Sequence, residues 1–270
     1  GTYPVVADPK GTDINQAYIN YAVDTLNFRL GRQRVNLDNQ RFVGGVGWRQ
    51  NEQTYDAFSV IKTTENVTFL YGFVGNVSRI FGPEDGAPAK RLDTKTHLAN
   101  VGIKAGDIGK ISLYGYVMDV EDAPAVSNRT FGIRYTGSFD LSSVSMPVVL
   151  EYARQDDEGD NPVSYSASYY VAEVGIKMES AKFTAGYEVL EGASTPGESF
   201  RTPLATLHKF QGWADKFLGT PAGGIEDAYI GFNYSAGSSA FGITFHDFDA
   251  ETGSTSYGSE WDASYSYKSN

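Results

Sequence analysis

The side chains best placed to do chemistry in this chain are arginines. Arg29, Arg32, Arg34, Arg41 and Arg49 fall within 21 residues of an otherwise acidic sequence. A guanidinium presents a planar fork of donors, binds carboxylates bidentately and stays charged at any ordinary pH. Gathered around a narrow passage, such groups form an anion-selective filter. The bland alternative is that Arg32, Arg41 and Arg49 pair with Asp38, Glu52 and Asp56 and merely stiffen a loop. Gly44, Gly45 and Gly47 interrupt regular strand in the same stretch and give it the freedom an inward-folded constriction loop needs. A sixth arginine, Arg134, stands opposite Ile133 and Tyr135, as Arg29 stands opposite Phe28 and Leu30, so both are expected to face away from the apolar side. Arg32 and Arg34 sit near the end of their segment, where the following loop is expected to turn them inward.

Other chemistry is thin. A hydrolase would need a serine, a histidine and an orienting polar partner. The chain has three histidines, His97, His208 and His246; His246 beside Asp247 is the best local candidate, and nothing resembles a nucleophile elbow. No enzyme activity is expected. The absence of cysteine removes disulfides, thiol nucleophiles and thiolate metal sites. The acidic run Asp156-Asp157-Glu158-Gly159-Asp160-Asn161 offers hard oxygens to calcium but lacks the length and spacing of an EF-hand, and it reads as a solvated loop. No cofactor or metal is expected. A net charge of −11 and a pI near 4.7 argue against a nucleic-acid partner.

The elements that must position these arginines repeat. Phe183, Ala185, Tyr187 and Val189 alternate with Thr184, Gly186 and Glu188, the period-two pattern of a strand with different surroundings on its two faces. Thirteen such strands are expected, at about 14–23, 26–35, 54–63, 67–79, 96–106, 110–119, 129–139, 146–155, 166–177, 181–190, 226–234, 240–248 and 259–268. The connections alternate strictly. Short turns such as Asp24-Thr25 and Met178-Glu179-Ser180 are followed by long loops at 36–53, 80–95, 120–128, 156–165, 191–225 and 249–258. A soluble sandwich has no reason to keep every other loop short. A transmembrane β-barrel has, with its periplasmic turns short and its external loops long.

The expected lipid face includes Leu26, Phe28, Leu30, Phe69, Phe73, Ile133, Leu150, Val174, Ile230, Phe241 and Trp261; the opposite face includes Arg29, Asn100, Arg134, Glu151, Glu173, Glu188, Asp227, His246 and Asp262. A dry core would not accept that many unpaired charges, whereas a water-filled lumen would. The segment 54–63 alternates poorly, and neither face can be assigned. Mean hydropathy is −0.33 and no apolar run nears the roughly 18 residues of a membrane helix, but a barrel strand shows lipid only every second residue. The fold class expected is all-β, an antiparallel transmembrane barrel forming a single domain over residues 1–270. The first strand descends into a short turn, so an odd number of strands is expected before it and an even number after the last.

Two blocks stand apart from the strand rhythm. One runs Gly31-Arg32-Gln33-Arg34-Val35-Asn36-Leu37-Asp38-Asn39-Gln40-Arg41-Phe42-Val43-Gly44 and continues from Gly47-Trp48-Arg49 to Asp56-Ala57-Phe58. The other is His208-Lys209-Phe210-Gln211-Gly212-Trp213-Ala214-Asp215-Lys216-Phe217-Leu218, followed by Thr220-Pro221 and Gly224-Ile225-Glu226-Asp227. In the second, Phe210, Trp213, Phe217 and Leu218 have the spacing of a short helix or of an aromatic-anchored loop. These blocks resemble the alginate export family of Gram-negative outer-membrane barrels. The resemblance implies a parent barrel of about eighteen strands, of which this chain would be a fragment, set in outer-membrane lipid and lipopolysaccharide. It further implies passive passage of an anionic polysaccharide such as alginate, or of a smaller anionic solute, with periplasmic export partners. Arg29, Arg32, Arg34, Arg41, Arg49 and Arg134 are then the expected substrate-contacting residues. The competing expectation is a structural or adhesive surface barrel whose lumen is closed by its loops.

Overall fold

The computed structural model describes residue 9, residues 11–82 and residues 90–269. It is built from thirteen strands: β1 Ala17–Val23, β2 Leu26–Gln33, β3 Thr54–Thr63, β4 Val67–Ser78, β5 Arg91–Lys104, β6 Lys110–Met118, β7 Asn128–Leu141, β8 Val144–Asp157, β9 Ser166–Lys177, β10 Ala181–Leu190, β11 Ile225–Ala236, β12 Ser239–Asp249 and β13 Ser256–Tyr267. They pair antiparallel in strict chain order in one sheet, and β1 and β13 do not pair with each other. Among the described residues no helix is long and apolar enough to cross a membrane, which says nothing about strands.

All thirteen expected segments are strands, and the differences lie at their ends. β5 begins at Arg91 rather than near residue 96, and β7 and β8 pair down to Leu141↔Val144, leaving the two-residue turn Ser142-Ser143 where a longer one was expected. Ser142 turns the chain with φ +59°. Gly237 does the same with φ +57° between β11 and β12, a value glycine adopts without steric cost.

Register fixes the faces. Leu30↔Phe58, Phe58↔Phe73 and Tyr71↔Ala99 align on one side, and Arg29↔Ser59, Ser59↔Gly72 and Gly72↔Leu98 on the other. Leu30, Phe131, Leu150, Ile230, Phe241 and Trp261 are each at least half exposed, as residues that meet lipid must be in a chain surrounded by solvent. The other face carries the buried residues. Asn100, Arg134, Glu151, Glu188, Asp227, His246 and Asp262 all lie there.

The segment that would not divide into faces is β3. Tyr55 and Ala57 are buried inward and Phe58 is exposed outward. Both faces carry apolar groups because the inward one is covered: the Tyr55 hydroxyl donates to the Gly44 carbonyl oxygen at 2.8 Å. The same holds for Val74, Leu98, Tyr116, Met118, Ala153 and Tyr169, all in one buried cluster with Val43, Phe200 and Leu204. Toward its long-loop end, the concave side of the sheet is a packed apolar core formed by loops folded inside it.

Candidate functional site

Two loops build the interior, residues 34–53 after β2 and 191–224 after β10. Asp38 at the tip of the first accepts hydrogen bonds from Asn100 on β5 at 2.7 Å and from Ser112 on β6 at 2.7 Å, and lies 3.3 Å from Lys110. Arg41, three residues on, reaches Glu188 on β10 at 2.8 Å. One short stretch of chain can touch β5, β6 and β10 together only if the sheet curls around it. The loops also hold each other. Val43 and Leu204 form a parallel bridge, the Gly44 N–H donates to the Leu204 carbonyl at 2.9 Å, and Thr206 Oγ1 receives the Val46 N–H at 3.2 Å. A Cβ on Gly44 would fall 2.3 Å from Thr206 Oγ1, so the approach of the two loops depends on that glycine. Phe42 fills the centre, its ring 5.3 Å from Tyr114 and 5.2 Å from Tyr169.

The expected inward fold of the glycine-containing loop is therefore present, and the arginines divide. Arg41 is fully buried: it donates to Glu188, to Thr202 Oγ1 at 3.3 Å and to Gln211 Oε1 at 3.1 Å, with the Phe210 ring 4.6 Å from its guanidinium carbon. Glu188 is completed by the Tyr169 hydroxyl at 2.9 Å and by the Gln211 amide. Arg134 pairs with Glu151 directly opposite on β8, and Tyr114 donates to the same carboxylate at 2.8 Å. Arg32 forks onto Asp56 at 2.8 and 3.0 Å and touches Asp13 at 3.3 Å; it lies on the face of Leu30 and is not turned inward. Arg34 forks onto Glu52 at 2.8 and 2.7 Å and is exposed. Four of the six arginines are thus bound to carboxylates of the chain itself. Arg29 faces inward with no carboxylate partner among the described residues, bonded to Asn20 at 3.2 Å and 4.2 Å above the Tyr18 ring. Arg49 stands 3.8 Å from Asp215 and against the face of Trp48.

The pairing of Arg32 with Asp56 was among those the sequence offered, but the other partners were missed: Glu188 lies 147 positions from Arg41, while Glu151 and Asp227 stand on the strands beside Arg134 and His246. Sequence reasoning took the inward charges to be solvated, whereas Arg41–Glu188, Arg134–Glu151 and His246–Asp227, the last at 2.9 Å, are paired. His246 turns to Asp227 and lies 3.7 Å from Asp262; its chain neighbour Asp247 lies on the other face. The second block holds a single 3-10 turn, Leu207–Lys209, and is otherwise an aromatic-anchored loop. Phe217 packs on Phe248, and the Trp213 and Ala214 N–H groups donate to Asp262 and Glu260. Between this loop and β7–β13 lies a cavity of about 360 Å³ whose lining carries Glu173, Glu188, Asp227 and Asp262 against Arg134 and Lys209. Tyr229, opposite Gly186 in the register, packs over that glycine and donates to Glu173 at 2.8 Å. Above the strands, burial pushes the Tyr165 phenol up, keeping it a donor to Gln155 at 2.8 Å. Among the described residues, no group of three or more histidine and acidic side chains is arranged to hold a metal. Glu84 and Asp85, expected in an external loop, lie outside the described residues.

A single curled antiparallel sheet, short turns at one end and inward loops from the other match a known class of membrane channel. The family described as alginate export matches residues 4–140. This chain belongs to the alginate export family. That family places it in the outer membrane of a Gram-negative bacterium, among channels and not enzymes. No curated protein matches the chain. Among solved structures it resembles Pseudomonas aeruginosa OccK8 (OprE), with a TM-score of 0.69 at 14% identity over 92% of this chain and 69% of that one. P. aeruginosa OpdK, solved with vanillate, gives 0.67 at 12% identity over 91% and 65%. Acinetobacter baumannii OccAB4 gives 0.63 at 13% identity over 86% and 58%. At such identities the likeness is one of fold. The chain spans less than two thirds of OccAB4 and of OpdK.

Proposed function

We propose that this alginate export family member forms part of a passive outer-membrane channel for a small anionic solute. The observation that carries this reading is the pair of loops packed against the concave side of the sheet. Val43, Tyr55, Tyr169, Phe200 and Leu204 are completely buried between loop and wall. The spaces they leave, about 330 and 360 Å³, suit a small molecule; an extended anionic polysaccharide such as alginate needs a continuous lane past the same loops. Four arginines are neutralised by partners and contribute little net field, so anion preference falls to Arg29 and Arg49. The Arg29 side chain, on the inward face and with no carboxylate partner among the described residues, is the cleaner of the two. Unpaired strand edges are costly in lipid, so β1 and β13 require further strands beside them in the membrane.

The same inward loops favour one competing reading, a surface barrel occluded by its loops. Single-channel recording of the complete barrel in a planar bilayer separates the two, since an occluded barrel shows no openings. For selectivity, reversal potentials across a salt gradient are compared between wild type and Arg29→Glu. The proposal expects a wild-type anion preference that shifts toward cations in the variant. A wild type that already prefers cations would instead assign selectivity to the carboxylates around the larger cavity. Block by a soluble polyuronate at concentrations where small carboxylates pass freely would reinstate the polymer as cargo.

A further inference from the structure

Trp48, Arg49, His208 and Asp215 meet where the two inward loops cross, and they line a cavity of about 330 Å³. The Trp48 ring stacks on the His208 imidazole with centroids 3.7 Å apart and planes within 20°. The Arg49 guanidinium carbon lies 4.0 Å from the centre of the same tryptophan. Arg49 is 7% exposed, and its Nε and Nη1 are buried with no hydrogen-bond partner. Its Nη2 is 3.8 Å from Asp215, whose other oxygen is committed to His208 Nδ1 at 2.8 Å. The positive charge is therefore loosely compensated, and three of its five N–H donors, those on Nε and Nη1, have no partner among the described residues. An unsatisfied buried donor is costly, more so when charged, so native chains keep few of them and each calls for a partner such as a bound water, an ion or a ligand. The chain is strained beside it. Val46 sits at φ +49°, a region that a β-branched residue rarely enters. Leu207 and Leu218 complete an apolar wall. An apolar cavity of ~150 Å³ already holds benzene, so this one has room for a six-membered ring and a carboxylate.

We propose that this loop-built cavity binds a small apolar monocarboxylate, with the carboxylate on Arg49 and the hydrocarbon against Leu207 and Leu218. The proposal rests on the reading of the barrel as a channel for small anions, and gives that channel a capture site in its loops rather than on its strands. Hydrogen bonds between a guanidinium and a carboxylate are about twice as strong as neutral ones. The neutral amide of the same ligand, equal in shape, is the discriminating comparison.

These 270 residues have three tryptophans, so Trp213→Phe with Trp261→Phe, together with phenylalanine at any tryptophan of the flanking strands, leaves Trp48 as the reporter. The complete barrel in this background, in detergent, is titrated with cyclohexanecarboxylate, cyclohexanecarboxamide, acetate and chloride, following Trp48 emission. The expected result is saturable binding of cyclohexanecarboxylate, at least about tenfold tighter than the amide or acetate. Arg49→Gln abolishes that tenfold advantage over the amide, and Leu218→Phe, which leaves Arg49 and its charge in place, weakens carboxylate and amide alike by filling the cavity. No saturable signal overturns the site. Equal binding of acid and amide overturns the role of Arg49, and chloride or acetate matching cyclohexanecarboxylate overturns the apolar ligand class. Bilayer conductance is read independently: openings without binding remove this site and keep the channel, and binding without openings does the reverse.

Discussion

Replacing Arg41 with methionine removes the charge at the centre of the inward loops. The lost contacts are the Glu188 pair at 2.8 Å and bonds to Thr202 and Gln211, all buried. Glu188 would remain buried with only Tyr169 and Gln211 as donors. Removing one partner of a buried ion pair costs ~3–5 kcal/mol, mostly the penalty of the charge left behind. The two remaining donors argue for the lower end, about 3 kcal/mol. At about 1.4 kcal/mol per tenfold, the population with this loop displaced rises by roughly a hundredfold. Contacts elsewhere, such as Asp38 with Asn100 and Ser112, stay intact, so the change is a loosening of the Asn39–Val43 turn and not release of the whole loop. Single-channel traces of Arg41→Met should show larger or noisier openings, and subtilisin should nick the loop faster. The double variant Arg41→Met with Glu188→Leu should recover most of the loss, because two apolar groups leave no orphaned charge. Unchanged traces and unchanged proteolysis in the single variant would show that the apolar packing of Phe42, and not the ion pair, holds the loop, and the argument would fall.

Arg134→Gln should lower the unfolding temperature measurably by stranding Glu151 on the inner wall, whereas Arg134→Met with Glu151→Leu should lie closer to wild type; heat-dependent gel mobility of the folded barrel reads both. Gly186→Ala should destabilise the barrel by the same assay, since the new Cβ would fall 2.1 Å from the Tyr229 ring and drive it off its bond to Glu173, while Tyr229→Phe loses only that bond, about 1 kcal/mol.

Strand number and order, and the faces of the strands other than β3, were legible in the chain because each follows from neighbours in sequence. A period of two separates Phe183 and Tyr187 from Thr184 and Glu188 whatever surrounds them, and a short turn such as Asp24-Thr25 leaves antiparallel pairing as the simplest path. The membrane class followed from the alternation of short and long connections, and the inward fold of residues 36–53 from three glycines. What each arginine does was decided by distance in three dimensions. Arg41 meets Glu188 across 147 positions of chain, and the Trp48–His208 stack joins two loops that share no local pattern. Sequence shows that a charge is present; only the packed structure shows whether a carboxylate has already claimed it. The poor alternation of β3 makes the same point from the other side. Tyr55 is apolar and inward because a loop covers it, and the loop covers it because the sheet curls, a property of thirteen strands together and of none alone.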